Sequence, residues 1–364
     1  MSQTTSLLGL SSSFVFILLA GACNGNGGQG SADAGGQMST GGSGGGSGNM
    51  VTLATSPDPQ FLVVDSKNVY WTDSGDGSTG GGTGRGMVLS VPITGGTVTT
   101  LATGLVSPGG IAVDDTNVYW VDFGVLTPPG DVMKVPLGGG TPVTLATSTG
   151  GGTPQHMTID ANNVYWTDGN AVWQVPKAGG AAVKVADFQG GLTSGVAVDA
   201  TSVYWASETS PDAGVTPENT GSIMKTPIGG GATTVLASGQ NLPLDVSVDA
   251  TNIYWVNQGS VTTPNGMVMK VPLAGGAPTM LATGQNTIFD LVIDSTTVYW
   301  NDWGQQTLTM TNGSLVSVPI GGGTPTTIAA RVQAYDVAVD GTSLYATVNF
   351  TLPSHGAIVK ITPK

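Results

Sequence analysis

The feature that most restricts the fold is a repeat that occurs seven times after residue 50. Each copy has an Asp, three turn residues, an apolar residue and then Tyr-Trp, or Tyr-Ala in the seventh copy. The tyrosines are Tyr70, Tyr119, Tyr165, Tyr204, Tyr254, Tyr299 and Tyr345. Their separations, from 39 residues (165 to 204) to 50 (204 to 254), match the length of one four-stranded propeller blade. Seven copies therefore predict seven blades.

Each copy divides into four short strands joined by tight turns. In the second copy, strand A contains residues 111–113, strand B carries Tyr119, strand C ends at Pro136 and strand D starts at Val143. The turn aspartate can cap the A–B turn, and the glycine-rich C–D turn supplies positive-φ positions. With 58 glycines and 21 prolines among 364 residues, long helices have little room. We therefore predict an all-β, seven-bladed propeller of four-stranded antiparallel blades.

The two ends of the repeat region predict how the ring closes. Residues 51–56 have the same six letters as residues 143–148, which form a strand D. The last copy ends after its strand C, residues 357–361, with no strand D behind it. Because an open ring leaves two unpaired edges, we expect the N-terminal strand to pair with the C-terminal blade.

Two copies carry a four-residue motif that is familiar from other propellers. It reads Tyr70-Trp71-Thr72-Asp73 in one and Tyr165-Trp166-Thr167-Asp168 in the other. On this motif, residues 50–364 resemble the YWTD propellers of the low-density-lipoprotein-receptor class and the TolB-like propellers of bacteria. That class usually has six blades, whereas this chain has seven copies. The resemblance implies a binding or scaffolding module, but one fold supports many functions.

The first 49 residues predict an exported, lipid-anchored protein. The apolar run at 14–20 is too short for a membrane span, which needs about 20 residues, and it suits a signal peptide over residues 1–22. Residues 19–23 resemble a bacterial lipobox, which implies lipidation of Cys23. The alternative is an ordinary cleaved signal with an incidental cysteine. Residues 23–49 are then the lipidated cysteine and a Gly/Ser-rich disordered tether that reaches roughly 28 Å.

Charge and cysteine content limit the partners. Ten basic and 23 acidic residues give a net charge of −13, which disfavours nucleic acid and anionic membrane surfaces. The single cysteine, Cys23, allows no intramolecular disulfide. Asn24 stands where related lipoproteins retained in the inner membrane have Asp, so the outer membrane or cell surface is favoured. We expect a monomer that meets the membrane through its lipid anchor alone.

Comparison of the copies at one fixed position gives a first set of candidate site residues. Four residues before each turn aspartate, the copies carry Phe61, Gly110, His156, Gly195, Asp245, Asp290 and Asp336. These seven places, the ring positions, should face the central channel. Carboxylates from three consecutive blades would share one sector of its mouth and raise each other's pKa. Asp245, Asp290 and Asp336 are candidates to bind Ca²⁺, which accepts oxygen ligands from several loops. Alternatively, they cap loop backbone or line a water-filled channel.

Loop length indicates which face of the disc is used for recognition. The A–B and C–D turns are uniform, whereas the B–C loops range from two residues (169–170) to thirteen (208–220). The B–C and D–A loops share one face, the loop face, where we expect a protein or glycan ligand. Phe123 and Trp303 occupy one position after strand B and are candidate ligand contacts, as is His156. The plainer interpretation is local packing for the two aromatic residues and simple exposure for the histidine.

The remaining patterns predict structure rather than chemistry. The Tyr-Trp pairs should pack between blades, and Lys134, Lys225, Lys270 and Lys360, which share one strand-C position, should form a solvated face. The sequence contains no zinc-type cysteine pair, nucleophile elbow or phosphate loop, so we predict no enzyme. Two alternatives stay open: a lyase- or hydrolase-type propeller enzyme with its site at the channel mouth, and a structural component of the envelope.

Overall fold

Seven four-stranded antiparallel sheets follow one another along the chain and form the blades of a propeller. The structure is a computed structural model that describes residues 48–75, 84–124, 130–148, 154–187, 191–209, 219–259, 263–304, 306–307, 310–349 and 356–364. These ranges contain no helix, and so none that could cross a membrane. The prediction of an all-β, seven-bladed propeller is confirmed. The proposed signal peptide, Cys23 and most of the tether lie outside the described residues.

The strands of each blade are named A to D from the central channel outward. Blade 1 consists of Pro59–Val64, Asn68–Asp73, Gly86–Pro92 and Thr99–Leu105, and blade 2 of Pro108–Val113, Asn117–Asp122, Asp131–Pro136 and Val143–Thr147. Blade 3 consists of Met157–Ile159, Asn163–Thr167, Ala171–Pro176 and Val183–Asp187, and blade 4 of Gly191–Val198, Ser202–Thr209, Gly221–Pro227 and Thr234–Gln240. Blades 5 and 6 consist of Pro243–Val248, Asn252–Asn257, Gly266–Pro272 and Thr279–Gln285; and Leu291–Ile293, Thr297–Asp302, Ser314–Pro319 and Thr326–Ala330. The B–C loop of blade 6 also holds a small hairpin, Gln306–Thr307 with Met310–Thr311.

Blade 7 is built from both ends of the described chain. Its strands A to C are Ala334–Val339, Leu344–Asn349 and Gly356–Thr362, and its strand D is Asn49–Ser56. The two terminal strands pair antiparallel, with Val51 opposite Lys360. Ser56, at the end of strand D, accepts a hydrogen bond from Trp71 Nε1 at 2.8 Å and donates to the Asp73 carboxylate. The seventh blade is therefore also bonded to the first.

The Tyr-Trp pair joins each blade to both of its neighbours. Adjacent residues of a strand point to opposite faces of the sheet, so the tyrosine packs on the next blade and the tryptophan on the previous one. Tyr70 of blade 1 shares a buried cluster with Trp120 of blade 2, and Tyr119 of blade 2 shares one with Trp166 of blade 3. Between blades 6 and 7, Ala346 takes the place of the tryptophan beside Tyr299. The predicted packing between blades is what the structure has.

Every A–B turn is held by one aspartate and one tyrosine. In blade 2, Asp114 Oδ1 accepts the amides of Thr116 and Asn117, each at 2.9 Å. Its Oδ2 accepts the Tyr119 hydroxyl at 2.9 Å. The other six turn aspartates make the same three contacts: Asp65, Asp160, Asp199, Asp249, Asp294 and Asp340. This arrangement accounts for the fixed spacing of five residues between the Asp and the Tyr.

The four strand-C lysines do not form a solvated face, and that prediction was wrong. Each is partly buried and donates from Nζ to a backbone carbonyl just after strand C of the next blade. The bonds run from Lys134 to Lys177 at 2.6 Å, Lys225 to Leu273 at 3.3 Å, Lys270 to Ile320 at 2.7 Å and Lys360 to Ile93 at 3.0 Å. The lysines are links between blades on the face formed by the A–B and C–D turns, the turn face.

All seven outer strands contain a β-bulge at the same place. In every blade, one apolar strand-D residue at this place is left out of the pairing with strand C, and blades 1, 4 and 5 also leave out Gly104, Gly239 and Gly284. The apolar residues are Leu53, Leu101, Leu145, Val185, Leu236, Leu281 and Ile328. Six of the seven, all but Leu53, are buried. The bulge therefore sends an apolar side chain inward and interrupts the outermost ladder of each blade.

Candidate functional site

The ring positions lie near the start of strand A, and in blades 1, 2, 4, 5 and 7 the pairing of strand A with strand B is irregular there. The register shifts between Pro243 and Val246 in blade 5, and between Ala334 and Asp336 in blade 7. Such irregular pairing re-aims a side chain away from the regular alternation of the strand. At Gly195, a Cβ atom would collide with the Asp245 carboxyl of the next blade. Glycine at this ring position therefore lets blades 4 and 5 approach closely.

The structure brings Asp245, Asp290 and Asp336 together. Each carboxyl accepts the amide that follows the ring position of the next blade: Asp245 Oδ2 from Leu291 at 3.2 Å, Asp290 Oδ2 from Val337 at 2.8 Å, and Asp336 Oδ2 from Leu62 at 2.6 Å. The Asp290 carboxyl is also hydrogen-bonded to both of its neighbours. The three side chains, here called the acidic trio, thus connect blades 5, 6, 7 and 1 in sequence.

The pKa values of all three carboxyl groups of the acidic trio are raised. Burial raises the pKa of Asp245 and Asp336 well above the usual value, and the charge of Asp290 raises it further. Burial also raises the pKa of Asp290, although hydrogen bonds from its two neighbours act against this. A hydrogen bond between two carboxyl groups requires a proton on one of them. Asp245 and Asp290 are half-buried and Asp336 is buried.

A chain of five rings crosses the channel mouth beside the acidic trio. His156 meets Phe61 edge-on at 5.7 Å between ring centroids, and Phe61 meets Tyr335 edge-on, also at 5.7 Å. Tyr335 stacks on Phe289 at 5.8 Å, and Phe289 meets Trp303 edge-on at 5.1 Å. The five rings, here called the aromatic chain, come from blades 3, 1, 7 and 6. Each remains partly accessible, so the chain can offer ring surface to a ligand.

His156, at the ring position of blade 3, is half-buried and has a lowered pKa. Burial lowers the pKa of its side chain to about 4. Among the described residues it contacts the ring of Phe61, and no hydrogen bond to either ring nitrogen is found. An enclosed imidazole carries one donor and one acceptor nitrogen. Both are available to a bound molecule or to water.

Of the three predicted ligand contacts, His156 and Trp303 belong to the aromatic chain and Phe123 does not. Phe123 lies against Gly109, where a Cβ atom would collide with its ring, and it packs on the buried cluster between blades 2 and 3. The backbones at the two aromatic positions are equivalent, because Phe123 N–H donates to Ser107 O at 2.9 Å and Trp303 N–H to Thr287 O at 2.8 Å. The described contacts of Phe123 are those of local packing.

Sequence reasoning missed four residues of the loop face. Phe289 and Tyr335 directly precede the ring-position aspartates of blades 6 and 7, a recurrence that could have pointed to them. Glu208 occupies the position of Phe123 and Trp303 in blade 4, and burial raises its pKa to about 7. Burial, followed by the charge of Asp73, raises the pKa of Asp58 to about 6. The loop face therefore holds more titratable groups than the ring positions alone.

The described residues contain no group of three or more His, Cys, Asp or Glu side chains placed to hold a metal ion. Each member of the acidic trio already uses one oxygen on a backbone amide. Binding of Ca²⁺ by Asp245, Asp290 and Asp336 therefore stays a prediction. A groove of about 450 Å³ lies elsewhere, between the A–B turns of blades 6 and 7, where Lys364 forms an ion pair with Asp294 at 2.7 Å.

Comparison with solved structures shows the fold. No protein-family model matches the chain, and no curated protein sequence does. A propeller in a nidogen/laminin complex aligns with a TM-score of 0.51 and 18% identity over 71% of this chain and 95% of that one. A puromycin-hydrolyzing peptidase of Mycobacterium tuberculosis aligns with a TM-score of 0.59 and 13% identity, covering 87% of this chain and 55% of that one. A putative TolB of Agrobacterium tumefaciens aligns with a TM-score of 0.48 and 14% identity over 74% of this chain and 95% of that one. The likeness to YWTD-type propellers is thus supported at the level of the fold.

Proposed function

We propose that this seven-bladed propeller is a binding or scaffolding module that holds a protein or glycan ligand against its loop face. The aromatic chain carries the proposal. It gathers five partly accessible rings from four blades, including Phe61, Tyr335 and Trp303, at one end of the channel. Accessible aromatic rings are the side chains that contribute most to binding surfaces.

A binding role is favoured over catalysis by the way the titratable groups are arranged. A hydrolase or lyase needs an acid and a base that converge on one reacting bond. In the described contacts, His156 reaches Asp336 through two intervening rings, those of Phe61 and Tyr335. The three carboxyls are bonded to backbone amides and to each other rather than to an imidazole.

The test is a binding screen with variants matched for position. Wild-type protein is applied to a glycan array and to purified envelope proteins, and each hit is measured again with Trp303→Ala, Phe289→Ala and Lys67→Ala. Lys67 is exposed on the turn face and is the control. We expect the two loop-face variants to lose binding and Lys67→Ala to keep it. Hits that survive both loop-face changes would show that recognition takes place elsewhere.

We further propose that the protein is anchored in the cell envelope by a lipid on Cys23, at the outer membrane or cell surface. The lipobox-like residues 19–23 and the glycine-rich residues 24–47 support this, because a lipid followed by a loose tether lets a folded domain clear the membrane surface. Cys23→Ser should release the mature protein into soluble fractions and abolish labelling by palmitate. Unchanged membrane partitioning of that variant would contradict the anchor.

A further inference from the structure

One position on the loop face has a left-handed backbone in blades 1, 4, 5 and 6. It lies three residues after the buried bulge residue of strand D. Three of the blades have glycine there: Gly104 with φ 77°, Gly239 with φ 68° and Gly284 with φ 72°. Blade 6 has Arg331, with φ 62°. A left-handed backbone suits glycine and strains other residues, and strain that is kept at an exposed position points to a function of the side chain.

Arg331 is exposed, and its guanidinium forms no ion pair and no hydrogen bond with any residue that the structure describes. The loop face around it is otherwise acidic, with Asp58, Glu208 and the acidic trio. A guanidinium has five donors in a planar fork, which can bind a carboxylate through two parallel hydrogen bonds. Arg331 is therefore suited to a carboxylate that a ligand brings.

The backbone places Arg331 close to Trp303 of the aromatic chain. The next residue along the chain, Val332, donates its N–H to Gly313 O at 3.0 Å. Gly313 in turn lies against Trp303, since a Cβ atom on this glycine would be 3.0 Å from the Trp303 carbonyl oxygen. The ring of Trp303 is partly accessible. Tryptophan and arginine are the side chains that most often dominate binding surfaces.

Two carboxamides lie at the same place. Asn312 precedes Gly313 and is exposed, and Gln333 follows Val332 and is half-buried. Neither amide has a hydrogen-bond partner within the described part of the chain. Each can both donate and accept. Arg331, Trp303, Asn312 and Gln333, here called the blade-6 patch, thus combine one guanidinium, one aromatic ring and two unused amides.

We propose that the blade-6 patch binds a sugar residue that carries one carboxylate, such as a uronic acid of a glycan. This inference rests on the proposed binding function and specifies its ligand. A pyranose ring has an apolar C–H face that can lie on Trp303, and hydroxyl groups that the amides can bind. Its carboxylate pairs with Arg331. An acidic protein surface is a poorer partner, because its further negative charges would be repelled by the loop-face carboxyls.

The experiment compares two disaccharides that differ in one group: one ends in glucuronic acid and the other in glucose. Both are titrated by calorimetry into the full chain, Arg331→Gly and the turn-face control Lys67→Ala. Arg331→Gly should fold like the wild type, because three other blades have glycine at this position. We expect the acidic disaccharide to bind Arg331→Gly about tenfold more weakly than the wild type and Lys67→Ala, through loss of one charge-assisted contact. The neutral disaccharide should bind the wild type and Arg331→Gly equally.

A second arm tests a protein ligand, with a peptide that has a free C-terminal carboxylate and the same peptide amidated. Binding of the free peptide without binding of the acidic disaccharide would contradict a sugar ligand. Equal binding of the two disaccharides, or undiminished binding of the acidic one by Arg331→Gly, would overturn the inference. Loss of screened hits in Trp303→Ala would still support the proposed function in that event, because this variant tests the aromatic chain and leaves the guanidinium in place.

Discussion

The turn face and the loop face of the propeller are built from the same repeat, but their side chains are conserved between blades to different degrees: the turn-face residues recur and the loop-face residues vary. On the turn face, every blade carries one aspartate bonded to two amides and a tyrosine, as Asp114 is bonded in blade 2. On the loop face, the ring positions change from Phe61 through glycine and His156 to three aspartates. The turn contact has to be satisfied seven times, so its residues recur. The loop face has no such requirement, and its side chains can differ from blade to blade.

The largest loss of stability should come from removing the strand that closes the ring, because it is shared by the turn face and the loop face. Deletion of residues 49–56 removes strand D of blade 7 and leaves Gly356–Thr362 as an unpaired edge. We expect aggregation or loss of the cooperative unfolding transition, measured by calorimetry and light scattering. Deletion of residues 24–47 is the control and should leave the melting temperature unchanged. Equal tolerance of the two deletions would show that the ring closes without this strand.

Two tryptophans compare the ends directly. Trp120 is fully buried between blades, whereas Trp303 is partly accessible and contacts Phe289. Trp120→Ala should lower the free energy of unfolding by about 3–5 kcal/mol, as for other large-to-small core changes. Trp303→Ala should lower it by about 1 kcal/mol, the value of one aromatic pair. Denaturant unfolding of both variants measures the gap, and equal losses would mean that the loop-face ring is part of the core.

The hydrogen bonds of one turn aspartate can be removed in a single blade without creating a cavity in the core. Asp249 accepts the amides of Thr251 and Asn252 at 2.6 and 2.7 Å and the Tyr254 hydroxyl at 2.9 Å. Asp249→Ala should cost about 1–3 kcal/mol because these donors lose their acceptor. Tyr254→Phe removes the hydroxyl alone and should cost about 1 kcal/mol. If the two variants lose the same stability in denaturant unfolding, the amide contacts contribute nothing.

The ends should respond to pH in opposite directions. Burial would raise the pKa of Asp249, but hydrogen bonds from Thr251, Asn252 and Tyr254 outweigh it and hold the pKa below the usual 3.8. Stability from this group is present above pH 3.8 and is lost as the pH falls through its lowered pKa. The acidic trio has raised pKa values, so it binds protons more tightly when folded than when unfolded. Its contribution is present at low pH and declines as the pH rises above 3.8.

Melting temperatures across the pH range of two variants separate these contributions. Asp290→Asn removes the charge that raises the pKa of Asp245 and Asp336, so the decline towards neutral pH should become shallower. Each unit of pKa shift that is removed corresponds to about 1.4 kcal/mol. Asp249→Asn should change the acid side of the curve and leave the decline intact. An unchanged decline in Asp290→Asn would show that the trio does not set the pH response.

Calcium should have the smallest effect, because each carboxyl of the trio already accepts an amide. A bound ion at a hundredfold excess over Kd would add about 2.7 kcal/mol to the free energy of unfolding. We expect calcium to add much less than this to the free energy of unfolding, and therefore to shift the melting temperature little. Calorimetry with calcium and with chelator measures the shift. A full shift that Asp290→Asn abolishes would establish the predicted calcium site.

The turn-face contacts, which repeat in every blade, are the part of the structure that the sequence predicts. The Asp and Tyr of each turn are five residues apart, so their spacing is visible in one copy and repeated in seven. The contact of Lys134 cannot be seen in a single copy, because its carbonyl partner lies 43 residues away in the next blade. The three ring-position aspartates could be aligned by counting, since symmetry places equivalent positions together. Their bonds run to amides of the next blade, 46 residues away for Asp245 and 47 for Asp290, and no letter pattern reveals such a contact.

The aromatic chain shows a second reason for the missed contacts. Phe289 and Tyr335 share the place before the ring position with non-aromatic residues in the other five copies, so the recurrence in two copies alone does not single them out. Phe123 and Trp303 align with each other, yet one packs on Gly109 and the other on Phe289. Equivalent backbone positions do not determine where a large ring turns, because the neighbouring side chains decide which space is open.

The bulged outer strands have a consequence for how such molecules meet one another. A regular outer strand would let a second chain add its own strand to the blade, and seven blades would offer seven such places. Here the ladder is interrupted on every blade by an inward apolar residue such as Leu101 or Leu281. Copies that meet side by side would therefore present bulged outer strands, which disfavour strand pairing between molecules.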